Sequence, residues 1–483
     1  MPRNAILITV DCLRYDRLSV FGYDRPVSPC MDALAEEGAF CHESIATGPN
    51  TRTSFPGILC SSYPLMYGGY AQLTGAREVI SERFQDRGFR TVGVNTNTQL
   101  HSRFGWDRGW DIYYDSESTF VHDSAVELGD DQAATSQSRT DDYLESAKAK
   151  IYDTLDQDGL TYRLVESIYR RIGTRSPPHD SAVQAVDRTF EFLDALPGEK
   201  PLFLWVHFME PHSPYVPAAT YRDEFMADPI SEGDMWRIND KVNTHEEDAT
   251  NREIDIVSDL YDASVREVDD QIGRLIDGLR DRGYWDDSAV LLCGDHGEEF
   301  HEHGTLAHGG RPYDELIRVP LIARLGDENI AFPDGVTSTI DIPPTLLDAT
   351  FDDSEMTEKF HGISLCPILR GEKPMPENRT VFSQIASGGW RKIDLDNRIT
   401  ACRTDDWKFI TSVREDDSDE LYYIPEDRYE QENVADGNPD EVELMTERVE
   451  DHYGLDAYEL YTIEDAVEPD HLGDQLEALG YVE

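Results

Sequence analysis

Ile6-Leu7-Ile8-Thr9-Val10-Asp11 and, far downstream, Val290-Leu291-Leu292-Cys293-Gly294-Asp295-His296-Gly297 are the stretches that decide the fold of this chain. Each is a run of β-formers too apolar for a sheet with one wet face, and each ends abruptly in a metal-ligating side chain. Strands buried on both faces belong to parallel α/β sheets, whose sites gather outside the carboxyl ends of the strands. The two stretches together predict a parallel sheet that carries a metal site.

Moving outward, Thr91 to Val94 and Leu202 to Phe208 read as further buried strands. Ser28 to Gly38 reads as a short helix, with Ser28 as cap, Pro29 in the first turn, Leu34 and Ala35 inward and Gly38 as stop. Val268, Ile272, Leu275, Ile276 and Leu279 recur at helical spacing within 258–282, and that helix feeds the Asp295 strand, as a right-handed crossover requires. Residues 115–185 are acidic, polar and poor in strand signals, and are expected to form an insertion. After Pro343-Pro344 and the proline-rich 373–377 the texture changes to short strand-like pieces at 381–385, 398–403, 407–413 and 420–424, then an acidic helical tail. The expected division is a catalytic domain over 1–365 and a smaller α+β subdomain with an antiparallel sheet over 366–483.

The chain of 483 residues carries 97 acidic against 43 basic side chains, a net charge of -54, and eight of the basic residues are lysines. That balance disfavours nucleic acid and anionic membranes as partners. With 39% hydrophobic and 10% aromatic residues the chain has the material for a large core, so the acids read as solvated surface on a folded protein adapted to high salt, where screening removes the self-repulsion. The seven cysteines are odd in number and lack CxxC spacing, against both a disulfide framework and a zinc finger. The first strand starts too early for a signal peptide, and no apolar run approaches the roughly 18 residues of a membrane span. The expectation is a soluble protein of a high-salt cytosol.

Asp11, Asp295 and His296 are ligands suited to Mn2+, Zn2+, Mg2+ or Ca2+, with the imidazole favouring the transition metals. Gly48-Pro49-Asn50-Thr51-Arg52-Thr53-Ser54-Phe55 opens another segment of interest, continuing to Tyr63-Pro64. A hydroxyl near a helix N-terminus is placed for attack on an anionic ester, because free backbone N–H groups hold the substrate oxygens while a metal lowers the hydroxyl pKa. An ordinary capped helix would show the same residues.

The order Leu7-Ile8-Thr9-Val10-Asp11-Cys12-Leu13-Arg14-Tyr15-Asp16, Gly48 to Pro64, Val206-His207-Phe208-Met209-Glu210-Pro211-His212-Ser213-Pro214-Tyr215 and Gly294-Asp295-His296-Gly297-Glu298-Glu299-Phe300-His301-Glu302-His303 resembles the sulfatase family of the alkaline phosphatase superfamily. Phe104 to Asp111, Tyr313 to Pro320, Gly362 to Gly371, Arg403 to Ile410 and Glu420 to Asn433 are further matches, in order along nearly the whole chain. The resemblance implies an alkaline-phosphatase-like sandwich: a large, mostly parallel sheet flanked by helices, with the small C-terminal subdomain. It implies that Asp11, Asp295 and His296 bind one divalent cation (Ca2+, Mn2+ or Zn2+), completed by the oxygen of Thr51, which falls at the nucleophile position. His212 would contact the ester or protonate the leaving oxygen, His308 falls near the place of an anion-binding lysine, and Arg52 and Asn97 would contact substrate oxygens. The acidic surface further suggests a haloarchaeal type of member.

The chain departs from the family pattern at several places. Typical members convert a Cys or Ser to formylglycine within a motif continuing x-Pro-Ser-Arg, whereas this chain has Thr51-Arg52-Thr53-Ser54-Phe55. Formylglycine is therefore not expected, and direct attack by Thr51 is. Cys12 replaces the second aspartate common in calcium sulfatases, and His296 their asparagine. His301 and His303 offer a second metal site or orient Glu302. The expected function is cleavage of a sulfuric ester or phosphoester of a small molecule, glycan or lipid headgroup. The alternatives are a phosphodiesterase or phospho-headgroup transferase, and a non-catalytic binding or scaffold protein.

Overall fold

The computed structural model describes residues 2–116, 118–121, 179–198, 200–244, 249–308, 310–351, 357–387, 393–414 and 416–458. Most of the expected 115–185 insertion and the end of the acidic tail lie outside the described residues.

Three fully buried strands, Asn4–Val10, Leu202–Phe208 and Ser288–Gly294, run side by side and parallel, with Asn4–Val10 in the middle. Their side chains alternate between two cores. Ile6, Ile8, Val10, Leu204, Val206, Val290 and Leu292 enter one, and Ala5, Leu7, Phe203, Trp205, Leu291 and Cys293 the other. A strand that feeds two cores has no polar face, which is why these runs read as continuous hydrophobic stretches. Arg90–Asn95 and Ile112–Tyr114 extend the parallel part beyond Leu202–Phe208. Thr119–Val121 on that side, and Leu321–Leu325 followed by Ala39–Cys41 on the other, are antiparallel, so the eight-stranded sheet is mixed with a parallel centre.

The helix ahead of the Asp295 strand spans Asn251–Asp281 and is longer than its apolar stripe suggested; Thr250 caps it in a capping box with Glu253. Val257, Leu260, Val268, Ile272, Leu275 and Leu279 join the first core. The short helix Pro29–Glu37 forms where expected, but Ser28 does not cap it. Its free N–H groups at Cys30 and Met31 are accepted instead by the Asp269 carboxylate of the long helix, at 2.9 and 2.8 Å. Between the Leu202–Phe208 strand and the long helix lie the helices Ala219–Phe225 and Glu232–Thr244.

A second, antiparallel sheet is formed by Val381–Ser387, Ile393–Arg403, Trp407–Ser412 and Glu420–Tyr423, and the helix Pro439–Tyr453 packs against it. The helix Cys366–Leu369 still belongs to the core of the large sheet. Buried charge joins the two sheets: Lys408 Nζ reaches Asp314 Oδ1 at 2.8 Å and Glu430 Oε1 at 2.5 Å. His303 adds a half-buried link, pairing with Glu315 through Nδ1 and approaching the Glu430 carbonyl with Nε2 at 3.1 Å while stacking on Tyr313.

Removing one member of a buried ion cluster strands the others. Lys408→Met should cost about 3–5 kcal/mol in urea unfolding; a change under about 1 kcal/mol would show that the cluster does not hold the sheets together. Burial alone lowers the His303 pKa, but Glu315 and the Glu430 carbonyl raise it from 6.5 to about 9. A raised imidazole stabilises fully below about 6.5 and loses that contribution as pH rises through about 9. Unfolding curves of the wild type should therefore weaken across that window, and those of His303→Gln should change less.

Candidate active site

The parallel strands end together and deliver the site. Asp11 follows Asn4–Val10 directly and Asp295 follows Ser288–Gly294, and the ladder continues one step beyond each, through Asp11 N–H to the Phe208 carbonyl at 2.9 Å and Asp295 N–H to the Val10 carbonyl at 3.2 Å. Gly297 lets the chain turn against the 313–320 segment, because a Cβ there would lie 1.9 Å from the Glu315 carbonyl oxygen. Gly48 is needed likewise beside Thr53, whose Oγ1 would meet a Cβ at 2.1 Å.

Thr51 is the first residue of the helix Thr51–Cys60, whose cap is Asn50, with its side chain accepting from Thr53 N–H at 3.2 Å. Thr51 Oγ1 is buried at 3.4 Å from both Asp11 Oδ2 and His296 Nε2. Asn97, past the end of Arg90–Asn95, donates to Asp11 Oδ2 at 2.6 Å and to Thr51 Oγ1 at 3.3 Å. His296 is oriented by its Nδ1–H, which donates to the Gly297 carbonyl at 2.8 Å and turns Nε2 toward Asp11 Oδ1 at 3.4 Å and Asp295 Oδ2 at 3.7 Å. The Cys12 N–H donates to Asp295 Oδ1 at 3.2 Å.

His207, which had no role in the sequence reading, and Cys12, at the place of the family's second aspartate, complete this cluster. His207, the single titratable side chain in the buried run Leu202–Phe208, places Nε2 3.4 Å from Asp11 Oδ2 while its Nδ1 meets Thr9 Oγ1 at 2.9 Å. A histidine inside a strand buried on both faces was the available signal for it. Cys12 points its thiol at Asp11 Oδ1, 3.2 Å away. Burial together with the charges of Glu298, Asp11 and Asp295 pushes that thiol well above its ordinary pKa.

The electrostatics follow from burial. Burial alone would raise the Asp11 carboxyl, but the His212, His207 and His296 imidazoles hold it far below the usual range. Burial and the neighbouring Asp11 charge push Asp295 well above its usual value. Among the described residues no lysine or arginine pairs with either carboxylate. Among the described residues Asp295 Oδ2 and His207 Nε2 are buried with no hydrogen-bond partner, and ligand atoms of Asp11, His207 and Asp295, and of Asp11, Cys12 and His296, lie within 4.8 Å of one another. Carboxylates, imidazoles and a hydroxyl converging with orphaned atoms fit a divalent cation.

His212 and His308 form the adjoining wall, their rings 4.8 Å apart, with His308 also 4.7 Å from His296. Burial lowers His212 to about 4. Burial lowers His308 as well, but Glu298, at 2.9 Å from its Nδ1, brings it above the ordinary value. Glu298 is fixed in turn by Tyr215 OH at 2.7 Å, and Asn239 of the helix Glu232–Thr244 accepts from Tyr215 N–H at 2.7 Å. Arg14 braces the loop from beneath, donating to the Glu298 carbonyl at 2.8 Å and to Glu302 Oε1 at 2.5 Å. Arg52 turns to the Ala71 carbonyl at 2.9 Å and lies over the Phe104 ring, contacts outside the Asp11 cluster. His301 is exposed, and His303 belongs to the link between the sheets.

The Sulfatase family model matches residues 3–352, and a model described as N-sulphoglucosamine sulphohydrolase, C-terminal, matches 302–454. An arylsulfatase of Clostridium perfringens is 25% identical over 399 residues, covering 76% of this chain and 79% of the relative. A choline-sulfatase of Rhizobium meliloti is 28% identical over 260 residues, covering 50% of this chain and 48% of its own. Among solved structures, a protein in complex with its substrate D-glucosamine-2-N,6-O-disulfate superposes with a TM-score of 0.68 at 16% identity, over 95% of this chain and 100% of that one. A phosphonate monoester hydrolase of Agrobacterium radiobacter superposes with a TM-score of 0.65 at 17% identity, over 94% and 95%. These likenesses give no support to the expected absence of formylglycine, since sulfatases usually use it. With its large mixed sheet, its small second sheet and a family match that spans most of its length, the chain belongs to the sulfatase family of the alkaline phosphatase superfamily and is an ester hydrolase.

Proposed function

We propose that this enzyme is a divalent-cation-dependent hydrolase of a sulfate, phosphate or phosphonate ester in which the Thr51 hydroxyl is the nucleophile. The observation that carries the reading is the position of Thr51 Oγ1, buried at a helix N-terminus and 3.4 Å from both Asp11 Oδ2 and His296 Nε2. Formylglycine is the usual group at this place in the family, so the hydroxyl mechanism rests on the side chain at position 51.

Asp11, Asp295 and His296 would hold the cation with Thr51, and His207 adds a further imidazole on the Asp11 side. When bound, the cation lowers the hydroxyl pKa and offsets charge on the ester. Thr51 presents its proton to Asp11 Oδ2, and Asn97 fixes both oxygens with one amide. Thr51 stands at the N-terminus of its helix, an end whose dipole suits an anionic ester. Attack forms the bond from Oγ1 to sulfur or phosphorus and breaks the bond to the leaving oxygen, which takes up a proton. Water then cleaves the threonyl ester and returns the proton to Oγ1. His212, His308 and Cys12 line the wall that the ester oxygens face.

The dispersed acidic surface supports a high-salt cytosolic setting, so assays belong in molar KCl. The structural neighbour bound to a glucosamine disulfate supports a sulfated sugar as the substrate. Aryl sulfate, aryl phosphate and aryl phosphodiester should be offered to metal-reloaded enzyme, and cleavage of the diester alone would place the activity with phosphodiesterases. Thr51→Ala should lower turnover about 10³-fold or more, Thr51→Ser should retain a measurable rate, and quenched enzyme should carry the transferred group on the peptide containing Thr51. An unmodified Thr51 peptide with near-normal turnover in Thr51→Ala would sink the mechanism.

A further inference from the structure

Beyond His308 the chain borders an open cavity of about 520 Å³ that lies against the second sheet and shares no residue with the Asp11 cluster. Ile385 and Ile399, directly opposite one another on the paired strands Val381–Ser387 and Ile393–Arg403, form its apolar side. Arg311, Asn397, Arg414, Asp416 and Asp417 form its polar side. Its walls run into the segments that carry the chemistry. Gly310 follows closely on His308, and a Cβ on it would stand 3.4 Å from Glu299 Oε2. Ile385 follows Gln384, whose N–H donates at 2.9 Å to the carbonyl of Thr47, just ahead of the turn into Thr51. We propose that this cavity is a subsite for an uncharged sugar residue attached to the esterified one, so that the substrate is a saccharide chain.

The lining selects the occupant by charge. Arg414 is held bidentately by Asp416, at 3.0 and 2.8 Å, and Arg311 lies 2.5 Å from Asp417 and 2.8 Å from Glu420. The guanidiniums are thus already balanced, and an anion would have to displace a carboxylate in order to enter. A wholly apolar occupant would strip water from these groups and give nothing back. A sugar ring meets both demands, with its C–H face on Ile385 and Ile399 and its hydroxyls toward the polar side.

The polar side also keeps donors that hydroxyls can engage. Arg414 Nη1 is 3.5 Å from Asn397 Oδ1, and Arg311 Nη2 is 3.5 Å from the Ser418 carbonyl, both at the outer limit of a hydrogen bond. The Asn397 amide is oriented by its own donation to Asp394 Oδ2 at 2.9 Å. The volume falls within the roughly 300–1,000 Å³ of ordinary small-molecule pockets. The proposal rests on the ester-hydrolase reading with a sulfated sugar as substrate, and adds chain length to it.

The test uses the full chain in molar KCl. Saturation-transfer NMR is run with unsulfated chains of glucose, galactose and N-acetylglucosamine, and turnover is compared between the single-ring and chain forms of the same sulfated sugars. Transfer to a neutral chain is expected for the wild type and should be lost in Asn397→Trp, which fills the cavity. The kcat/KM should rise about tenfold or more from single ring to chain, as roughly two net hydrogen bonds give. That ratio should collapse in Asn397→Trp and fall part of the way in the gentler Asn397→Ala. Binding of a neutral chain without cleavage of any sulfated sugar would overturn the hydrolase reading and leave the subsite standing. No transfer to any chain in the wild type, undiminished transfer in a folded Asn397→Trp, or equal kcat/KM for ring and chain overturns the proposal.

Discussion

Asp11 and Asp295 leave neighbouring parallel strands at the same level, so their carboxylates meet in a fully buried place with imidazoles, a thiol and a hydroxyl around them. Two like charges so placed are costly unless something positive lies between them. The divergence of the two groups, Asp11 held low and Asp295 pushed high, is the mark of that constraint. On the proposed reading a cation would resolve it, and the Thr51 hydroxyl beside Asp11 and His296 would be the point of attack.

The rest of the fold serves to keep that meeting rigid. The strands are buried on both faces, so their ends are fixed by two cores at once. The long helix Asn251–Asp281 caps Pro29–Glu37 through Asp269 and sends Tyr261 to hydrogen-bond around Cys12 and Arg14, at 2.7 and 2.9 Å. Glu298, Tyr215 and Asn239 form a chain of hydrogen bonds from the helix Glu232–Thr244 to His308. The second sheet reaches the same loop through His303 and Glu430. A site assembled from loop ends thus gains the stiffness of the elements behind it.

Much of this was legible in the residues. The apolar runs ending in Asp11 and Asp295 announced a doubly covered sheet, and the strands of the small sheet were visible from their turn-bounded apolar stretches. What was hidden required three-dimensional neighbours. The cap on Pro29–Glu37 comes from a residue far away in sequence, so the local Ser28 was the wrong acceptor to read. His207 looked like part of a β-run because strand periodicity carries no information on what faces its end. The helices Ala219–Phe225 and Glu232–Thr244 are polar segments that send Phe225, Met235, Ile238 and Val242 into the core shared with Asn251–Asp281, packing that local polarity does not announce. Arg52, next to Thr51 in sequence, donates to the Ala71 carbonyl, a partner visible only in three dimensions.

The most direct measurement is thermal unfolding of the metal-stripped and reloaded full chain, for the wild type and Asp295→Asn. If the buried carboxylate pair demands a cation, reloading raises the wild-type midpoint, by an amount equivalent to about 2.7 kcal/mol at a hundredfold excess over Kd. The stripped Asp295→Asn protein then melts above the stripped wild type and gains less from metal. Equal midpoints for stripped and reloaded wild type, with Asp295→Asn less stable in both states, would contradict the account.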